Sequence, residues 1–223
     1  MLSHETQTQQ MISNLRTRLL VMFASTTIAF DEALDALHSG NVGKAIAVIE
    51  GDDTINSLEV EIDNLCLSLL VKAQPVAKDL RFVIGTLRII NDLERIGDEA
   101  TIIAERILNI EDSSYKLVEE TNKMLINLAQ TILHKATNAF KDQDAESIFH
   151  ICKLDDEISQ AEMTVMQNIM TKTEKEAASF NSYTTMHSIL VSRSLNRICR
   201  RAINIAEHTY FIYKGENLKH AHC

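Results

Sequence analysis

Residues 81–107 read RFVIGTLRIINDLERIGDEATIIAERI, and residues 183–209 read YTTMHSILVSRSLNRICRRAINIAEHT, two stretches that resemble each other at a shift of 102 positions. Seven of the 27 positions are identical, among them Ile96 with Ile198 and Ala104 with Ala206. A second pair of segments, 52–55 and 155–158, agrees in the same order at a shift of 103 positions. Two matches in one order indicate an internal duplication.

Apolar residues in both stretches recur in steps of three and four, which is the spacing of an amphipathic helix. The same spacing continues on both sides of these stretches. It predicts three helices that end near 39–41, before Gln74-Pro75 and near 111–114, and then three more helices over 115–140, 144–178 and 181–213. Pro75 is expected at the start of the third helix and Gly215 just after the sixth. The sequence therefore predicts an all-α protein of six long helices in two tandem three-helix bundles, over residues 1–111 and 112–215, with a tail over 216–223.

The composition agrees with long helices, because one proline, six glycines and no tryptophan leave few residues that interrupt them. A net charge of −9 opposes binding to nucleic acid and to anionic lipid. The most apolar early stretch, residues 19–30, is too short to span a bilayer, so no membrane insertion is expected. Four cysteines without a CxxC pair, and an N-terminus without a basic region followed by an apolar one, favour a reducing cytoplasm.

Two acidic stripes border the apolar faces of the second and third predicted helices. At 100° per residue, Glu94 and Asp98 lie beside the apolar stripe of the third helix, and Asp52 and Glu59 lie at similar angles on the second. Because these two apolar faces must pack together, we expect the four carboxylates to come close to one another. On the same helical wheel, the residues expected to point to water are Arg88, Asp92, Arg95 and Glu99.

Carboxylates crowded beside a core repel one another, and they are costly to desolvate unless a positive charge joins them. Oxygen ligands suit magnesium, manganese, calcium and iron, and zinc also accepts carboxylates. The alternative is an ordinary solvated helix edge with salt bridges to Lys72, Lys78 or Arg95. The residue pattern leaves both interpretations open.

The chain resembles the PhoU family of phosphate-uptake regulators at four segments, which are PVAKDLR (75–81), LERIGDEA (93–100), NIAE (204–207) and KGE (214–216). The resemblance implies two three-helix bundles related by pseudo-two-fold symmetry. It also implies a cytoplasmic protein, expected as a homodimer, that lets a Pst-type phosphate transporter restrain a sensor histidine kinase when phosphate is plentiful. The implied partners are the ATPase subunit of the transporter and the kinase.

Members of this family bind metal clusters, iron or zinc among them, through E(D)xxxD motifs on their helices. On this chain the resemblance places such a motif at Glu94 and Asp98, with Asp52 and Glu59 as the expected ligands from the adjacent helix. The metal ion implied for the first half is iron, zinc, manganese or magnesium.

The second half departs from the family pattern, because Asn196 and Arg200 stand where the family carries its two carboxylates. We expect the second metal site to be lost. Our hypothesis is that Arg193 or Arg200 reaches the acids of the facing helix, Asp155 and Glu162, and replaces the charge of a metal. Arginines also recur every four residues here, which is compatible with an anion-binding patch or with salt bridges; they are Arg193, Arg197 and Arg201.

Other residues of interest have simpler interpretations. His220, His222 and Cys223 in the tail are either a set of ligands for a soft metal or part of a frayed chain end. Three cysteines are expected to behave as small buried apolar residues, namely Cys66, Cys152 and Cys199. Three methionines are interpreted as core residues, namely Met163, Met166 and Met170.

No metalloprotease, hydrolase, phosphate-loop or di-iron signature occurs in the sequence, so we do not expect an enzyme. The first functional hypothesis is a regulatory adaptor that binds the transporter ATPase and the kinase and is tuned by a metal in its first half. A carboxylate-bound metal protein for storage or redox chemistry is the alternative. The third is a helical module without a ligand.

Overall fold

The structure, a computed structural model, describes residues 2–110, 114–175 and 180–218. The helices of this described part are α1 Leu2–Ser39, α2 Val42–Ala73, α3 Ala77–Asn109, α4 Ser114–Asp142, α5 Ala145–Cys152, α6 Asp155–Lys175 and α7 Ser182–Lys214. The predicted all-α fold of six long helices is confirmed, since α5 and α6 are two pieces of the fifth. The predicted domain boundary between residues 111 and 112 lies outside the described residues.

Local sequence signals set the helix ends. Asn41, Asp144 and Asn181 each precede a helix, and their side chains accept hydrogen bonds from backbone N–H groups of its first turn. Gly215 ends α7 with a φ of 81°, a left-handed conformation that glycine adopts without steric cost, and its N–H donates to the carbonyl of Phe211. Polar caps and a terminal glycine therefore fix where the chain turns.

The fifth predicted helix is interrupted at Lys153 and Leu154. Their N–H groups donate to the carbonyls of His150 and Ile151, three residues back, which closes α5 with a tight turn. The acids of segment 155–157 then begin α6, where negative charge is favourable next to the positive end of a helix. The apolar spacing continues through this segment, and no glycine or proline marks the interruption. The sequence pattern therefore predicts one helix where the structure has two.

The two bundles pack against each other through the last helix of each, α3 and α7. Helices α1, α2 and α3 form the first bundle, helices α4 to α7 form the second, and α3 and α7 share the most extensive helix contact in the described part of the chain. A Cβ atom at Gly85 of α3 would overlap the side chain of Ile212 of α7, so the glycine allows this close approach. Phe23 of α1 stacks on Phe140 of α4 at 4.8 Å between ring centroids, which adds a second contact between the bundles.

The predicted burial of Cys66 and Cys199 is confirmed, and burial raises the pKa of each thiol to about 12. The side chain of Cys152 and the tail residues His220, His222 and Cys223 lie outside what the structure describes. Among the described residues, no helix is both long and apolar enough to cross a membrane.

The methionines of α6 do not fill the core as predicted. Met163 and Met170 are exposed, and Met166 is only partly buried. Helix α6 lies at the edge of the second bundle, and its inward stripe includes Ile158 and Val165, which lie on the side opposite to Met163 at 100° per residue. The burial of these methionines was predicted from residue type alone, whereas their positions on the helical wheel place them away from the core.

Candidate functional site

The four predicted carboxylates lie along one border between α2 and α3. Asp52 and Glu59 are on α2, Glu94 and Asp98 are on α3, and all four are partly buried. Gly97 lets the two helices approach here, because a Cβ atom at this position would lie only 3.3 Å from Oδ1 of Asp52. The four acids therefore lie along one helix border, as their positions on the two helical wheels predict, whereas their role as metal ligands stays a prediction.

Burial and mutual repulsion raise the pKa of three of these carboxyl groups. Desolvation is the largest cause for Glu94, and the charges of Asp98, Glu59 and Asp52 add to it. The pKa of Asp98 is raised by desolvation first and by Asp52 next, and the pKa of Glu59 is raised mainly by desolvation. The guanidinium of Arg95 lowers all three pKa values without reversing the shift. This border therefore carries more negative charge than the neighbouring described side chains neutralise.

Asp52 shows the same imbalance at a single atom. Its Oδ1 is buried and has no hydrogen-bond partner among the described residues, while its Oδ2 accepts a hydrogen bond of 3.0 Å from Nδ2 of Asn56. A buried polar atom without a partner is costly, and a carboxylate oxygen is a ligand that hard cations prefer. The chemistry of these donors therefore fits a hard cation.

The side chains of these acids have the right ligand atoms for a cation but do not converge on one point. In the described part of the chain, no three His, Cys, Asp or Glu side chains are grouped so as to hold a metal ion. The acids that border α2 and α3 would have to rotate toward an ion to share it. Partly exposed Glu and Asp side chains have the rotamer freedom to do so.

The corresponding border of the second bundle carries a positive charge supplied by the chain itself. Nη1 of Arg200 donates to Oδ1 of Asp155 at 2.8 Å, and its Nε donates to Oδ1 of Asn196 at 2.9 Å. Nδ2 of Asn196 in turn donates to Glu162. The hypothesis that Arg200 reaches Asp155 is confirmed, whereas the described contact of Glu162 is with the amide of Asn196 and not with an arginine.

Arg197 and Arg201 of α7 face the first bundle. Nη1 of Arg197 donates to Oε1 of Glu99, and Nη1 of Arg201 donates to Oδ1 of Asp92, both at 2.9 Å. The prediction that Asp92 and Glu99 point to water is therefore wrong, since both lie buried in the contact between α3 and α7. His208 also lies 3.7 Å from Oδ2 of Asp92. These two arginines form salt bridges between the bundles, which is one of the two interpretations that the sequence left open.

A signal for this second contact surface was present in the sequence. Ile89, Ile96 and Ile103 recur every seven residues on α3, and all three are buried. Asp92 and Glu99 share this spacing of seven residues and lie next to the isoleucines on the helical wheel. A helix with apolar residues on two sides packs against two neighbours, so acids between them are buried and require partners.

The comparisons with known proteins agree with the duplicated fold. A model of the PhoU domain matches residues 19–107 and again residues 123–209, one segment in each bundle. The chain is 29% identical over 215 residues to the phosphate-specific transport system accessory protein PhoU of Serratia marcescens, covering 94% of this chain and 85% of that protein. It is 35% identical over 195 residues to the phosphate-specific transport system accessory protein PhoU homolog of Aquifex aeolicus, covering 87% of each.

A solved structure gives the same result. The crystal structure of PhoU from Pseudomonas aeruginosa superposes with a TM-score of 0.83 at 29% identity, covering 93% of this chain and 99% of that one. The likeness thus extends over both bundles and is not confined to one repeat.

Proposed function

The chain belongs to the PhoU family, and from this premise we propose that it is a negative regulator of phosphate uptake and of the phosphate-starvation response. It acts as an adaptor between the ATPase subunit of a Pst-type phosphate ABC transporter and a sensor histidine kinase. The observation that carries this proposal is the pair of PhoU domains that span both bundles, together with relatives named as transport-system accessory proteins. The proposed location is the cytoplasm, and the proposed active form is a homodimer.

The architecture is suited to an adaptor. Helices α3 and α7 are joined by two ion pairs, Arg197 with Glu99 and Arg201 with Asp92. A body braced in this way offers two separate outer faces in a fixed relation to each other. A partner on one face then constrains how a partner on the other is presented, without any chemical step by the chain.

A deletion strain tests the regulatory role. The measured quantity is expression of a phosphate-starvation reporter in medium rich in phosphate, where we expect high expression without the protein and low expression after the gene is restored. Unchanged reporter expression in the deletion strain would contradict the proposal. Binding of the purified chain to the ATPase subunit and to the cytoplasmic part of the kinase tests the adaptor role separately, and failure to bind either would reduce the proposal to regulation by another route.

We also propose that a metal cation binds at the border between α2 and α3. The ligands would be drawn from Asp52, Glu59, Glu94 and Asp98, and the candidate ions are iron, zinc, manganese and magnesium. Oδ1 of Asp52, which has no hydrogen-bond partner among the described residues, and the raised pKa values of the other three acids support this assignment. A bound ion supplies the positive charge that this border lacks, and it would tie α2 to α3.

Metal analysis of protein purified without an affinity tag or chelator tests the cation. We expect bound metal in the unmodified protein, its loss in the double variant Glu94→Ala with Asp98→Ala, and a higher Tm on adding Mn²⁺ to the unmodified protein only. Asp155→Ala in the second bundle is a matched control and should keep the response. Absence of both metal and Tm response would refute the cation while leaving the reporter test intact. Many ions per chain would instead favour the alternative of a metal-storage protein.

A further inference from the structure

An apolar groove runs between α1 and α2 on the outer side of the first bundle. It has a volume of about 250 Å³. Ile28, which is 59% exposed, stands on its α1 side, and Ala29, Ala47 and Gly51 are among the small residues that line it. Val21 is also exposed, one heptad before Ile28, and so continues the apolar strip of α1 by two helical turns.

Gly51 lies inside α2, where glycine disfavours the helix relative to alanine. A Cβ atom at Gly85 would overlap Ile212, and one at Gly97 would lie within 3.0 Å of Ile55, so tight packing accounts for both glycines. At Gly51 a Cβ atom would meet nothing within 4 Å. The packing of the described chain gives no reason for this glycine, whose missing side chain leaves the groove open beside it.

Two acidic residues flank the groove. Glu32 lines it on α1, and Glu50 lies next to Gly51 on α2. Basic residues near its ends are paired within the chain, because Arg18 contacts Glu61 at 2.8 Å and Lys44 contacts Asp35. The described surroundings of the groove are therefore negative overall.

We propose that this groove is a docking site for an amphipathic helix of another protein, one with an apolar stripe flanked by Lys and Arg. The apolar strip formed by Val21 and Ile28 would meet residues of the bound helix spaced by three, four and seven positions. The missing Cβ at Gly51 would let the two helices approach closely, and Glu32 and Glu50 would pair with the basic flanks.

The charges around the groove argue against two other occupants. A second copy of this chain docked through the same groove would bring Glu32 and Glu50 of both copies together. An anionic lipid surface would be repelled by the same acids. The inference goes beyond the proposed regulatory function, since it concerns one surface and one class of partner helix and does not depend on phosphate signalling.

Fluorescence anisotropy with designed helical peptides tests this assignment. The probes are labelled peptides with leucines at positions spaced by three, four and seven and with lysines on both flanks, and the matched control peptides carry glutamate in place of lysine. We expect the lysine peptides to bind the full chain at least tenfold more tightly than the glutamate peptides. Equal binding of both kinds, or no binding of any lysine peptide, would overturn the proposal.

Protein variants locate the binding. Gly51→Leu fills the groove and should weaken the lysine peptides at least tenfold, while Val60→Leu on the opposite side of α2 should leave their affinity unchanged. Glu32→Lys with Glu50→Lys should invert the preference between the two peptides, which keeps the test valid if Gly51→Leu folds poorly. If light scattering shows a dimer that Gly51→Leu dissociates, or if the chain binds anionic vesicles through this groove, the proposed occupant is wrong.

Discussion

Replacing Arg201 by methionine should loosen the contact between the two bundles. Nη1 of Arg201 lies 2.9 Å from Oδ1 of Asp92, whose side chain is only 6% exposed. Removing one partner of a fully buried ion pair costs about 3–5 kcal/mol. Arg201 is 37% exposed, so water screens part of the interaction, and Asn204 and His208 stay near the carboxylate at 3.5 and 3.7 Å. We therefore expect Arg201→Met to lower the free energy of unfolding by about 2 kcal/mol.

Arg200→Met is the matched control, because it removes the same side chain one position away on α7. Arg200 contacts Asp155 at 2.8 Å, an almost identical distance, but Asp155 is 59% exposed and Arg200 itself is 45% exposed. An exposed ion pair contributes at most about 1 kcal/mol, and often much less. The two variants thus compare a buried ion pair with an exposed one at the same residue type and nearly the same ion-pair distance.

Urea unfolding followed by circular dichroism measures both variants, with thermal melting as a second readout. In a chain of this size, about 2 kcal/mol corresponds to a fall in Tm of about 4–8 °C. The double variant Arg201→Met with Asp92→Leu should recover most of the loss, since the cost lies mainly in leaving Asp92 buried without its strongest partner. Equal losses for Arg200→Met and Arg201→Met, or no recovery in the double variant, would refute the argument from burial.

Four further substitutions have definite expected outcomes. Gly85→Ala should destabilise the protein by about 1–2 kcal/mol in urea unfolding, because overlap with Ile212 exceeds the gain in helix propensity, whereas Gly51→Ala should stabilise it by about 1 kcal/mol. Burial lowers the pKa of His187 in the folded state. The folded state therefore loses stability as the pH falls below the pKa of an unfolded histidine, which is about 6.5. The free energy of unfolding, measured between about pH 7.5 and 5.5, should fall less in His187→Leu than in the unmodified protein. Desolvation and the charge of Asp52 raise the pKa of Asp98, so the charged form of Asp98 destabilises the fold near neutral pH. Asp98→Asn should therefore raise the Tm of the metal-free protein at pH 7. This increase in Tm should become smaller as the pH falls toward the pKa of an unfolded aspartate, which is about 3.9.

The helices were predictable from the sequence because their signals are local. Apolar spacing, the caps at Asn41 and Asn181 and the terminal Gly215 each act within a turn or two of the residues that they order. The break at Lys153 and Leu154 was not predictable in this way, because the turn is made by backbone hydrogen bonds and no residue type demands it. Local propensity therefore predicts the elements better than it predicts their interruptions.

The same distinction between local and distant signals applies to the candidate site. Placing Glu94 and Asp98 beside the core needed only the helical wheel, and the structure puts them at the expected border. The burial of Asp92 and Glu99 depends on a second neighbour of α3, which is 98 or more residues away in the chain. A wheel with one apolar face cannot represent a helix that packs on two sides, so these acids were assigned to water.

The two halves solve one electrostatic problem in different ways. At equivalent places on α3 and α7, Asp98 is replaced by Arg200, and the guanidinium of Arg200 satisfies an acid of the facing helix, Asp155. The first half keeps its acids, and one of them, Asp52, retains a buried oxygen without a partner in the described structure. A covalently attached cation has a fixed charge at every ion concentration, whereas a border of acids responds to the ions around it. The stability of the first bundle should therefore depend on added divalent cations while that of the second does not, so that any sensitivity to metal in this protein enters through α2 and α3.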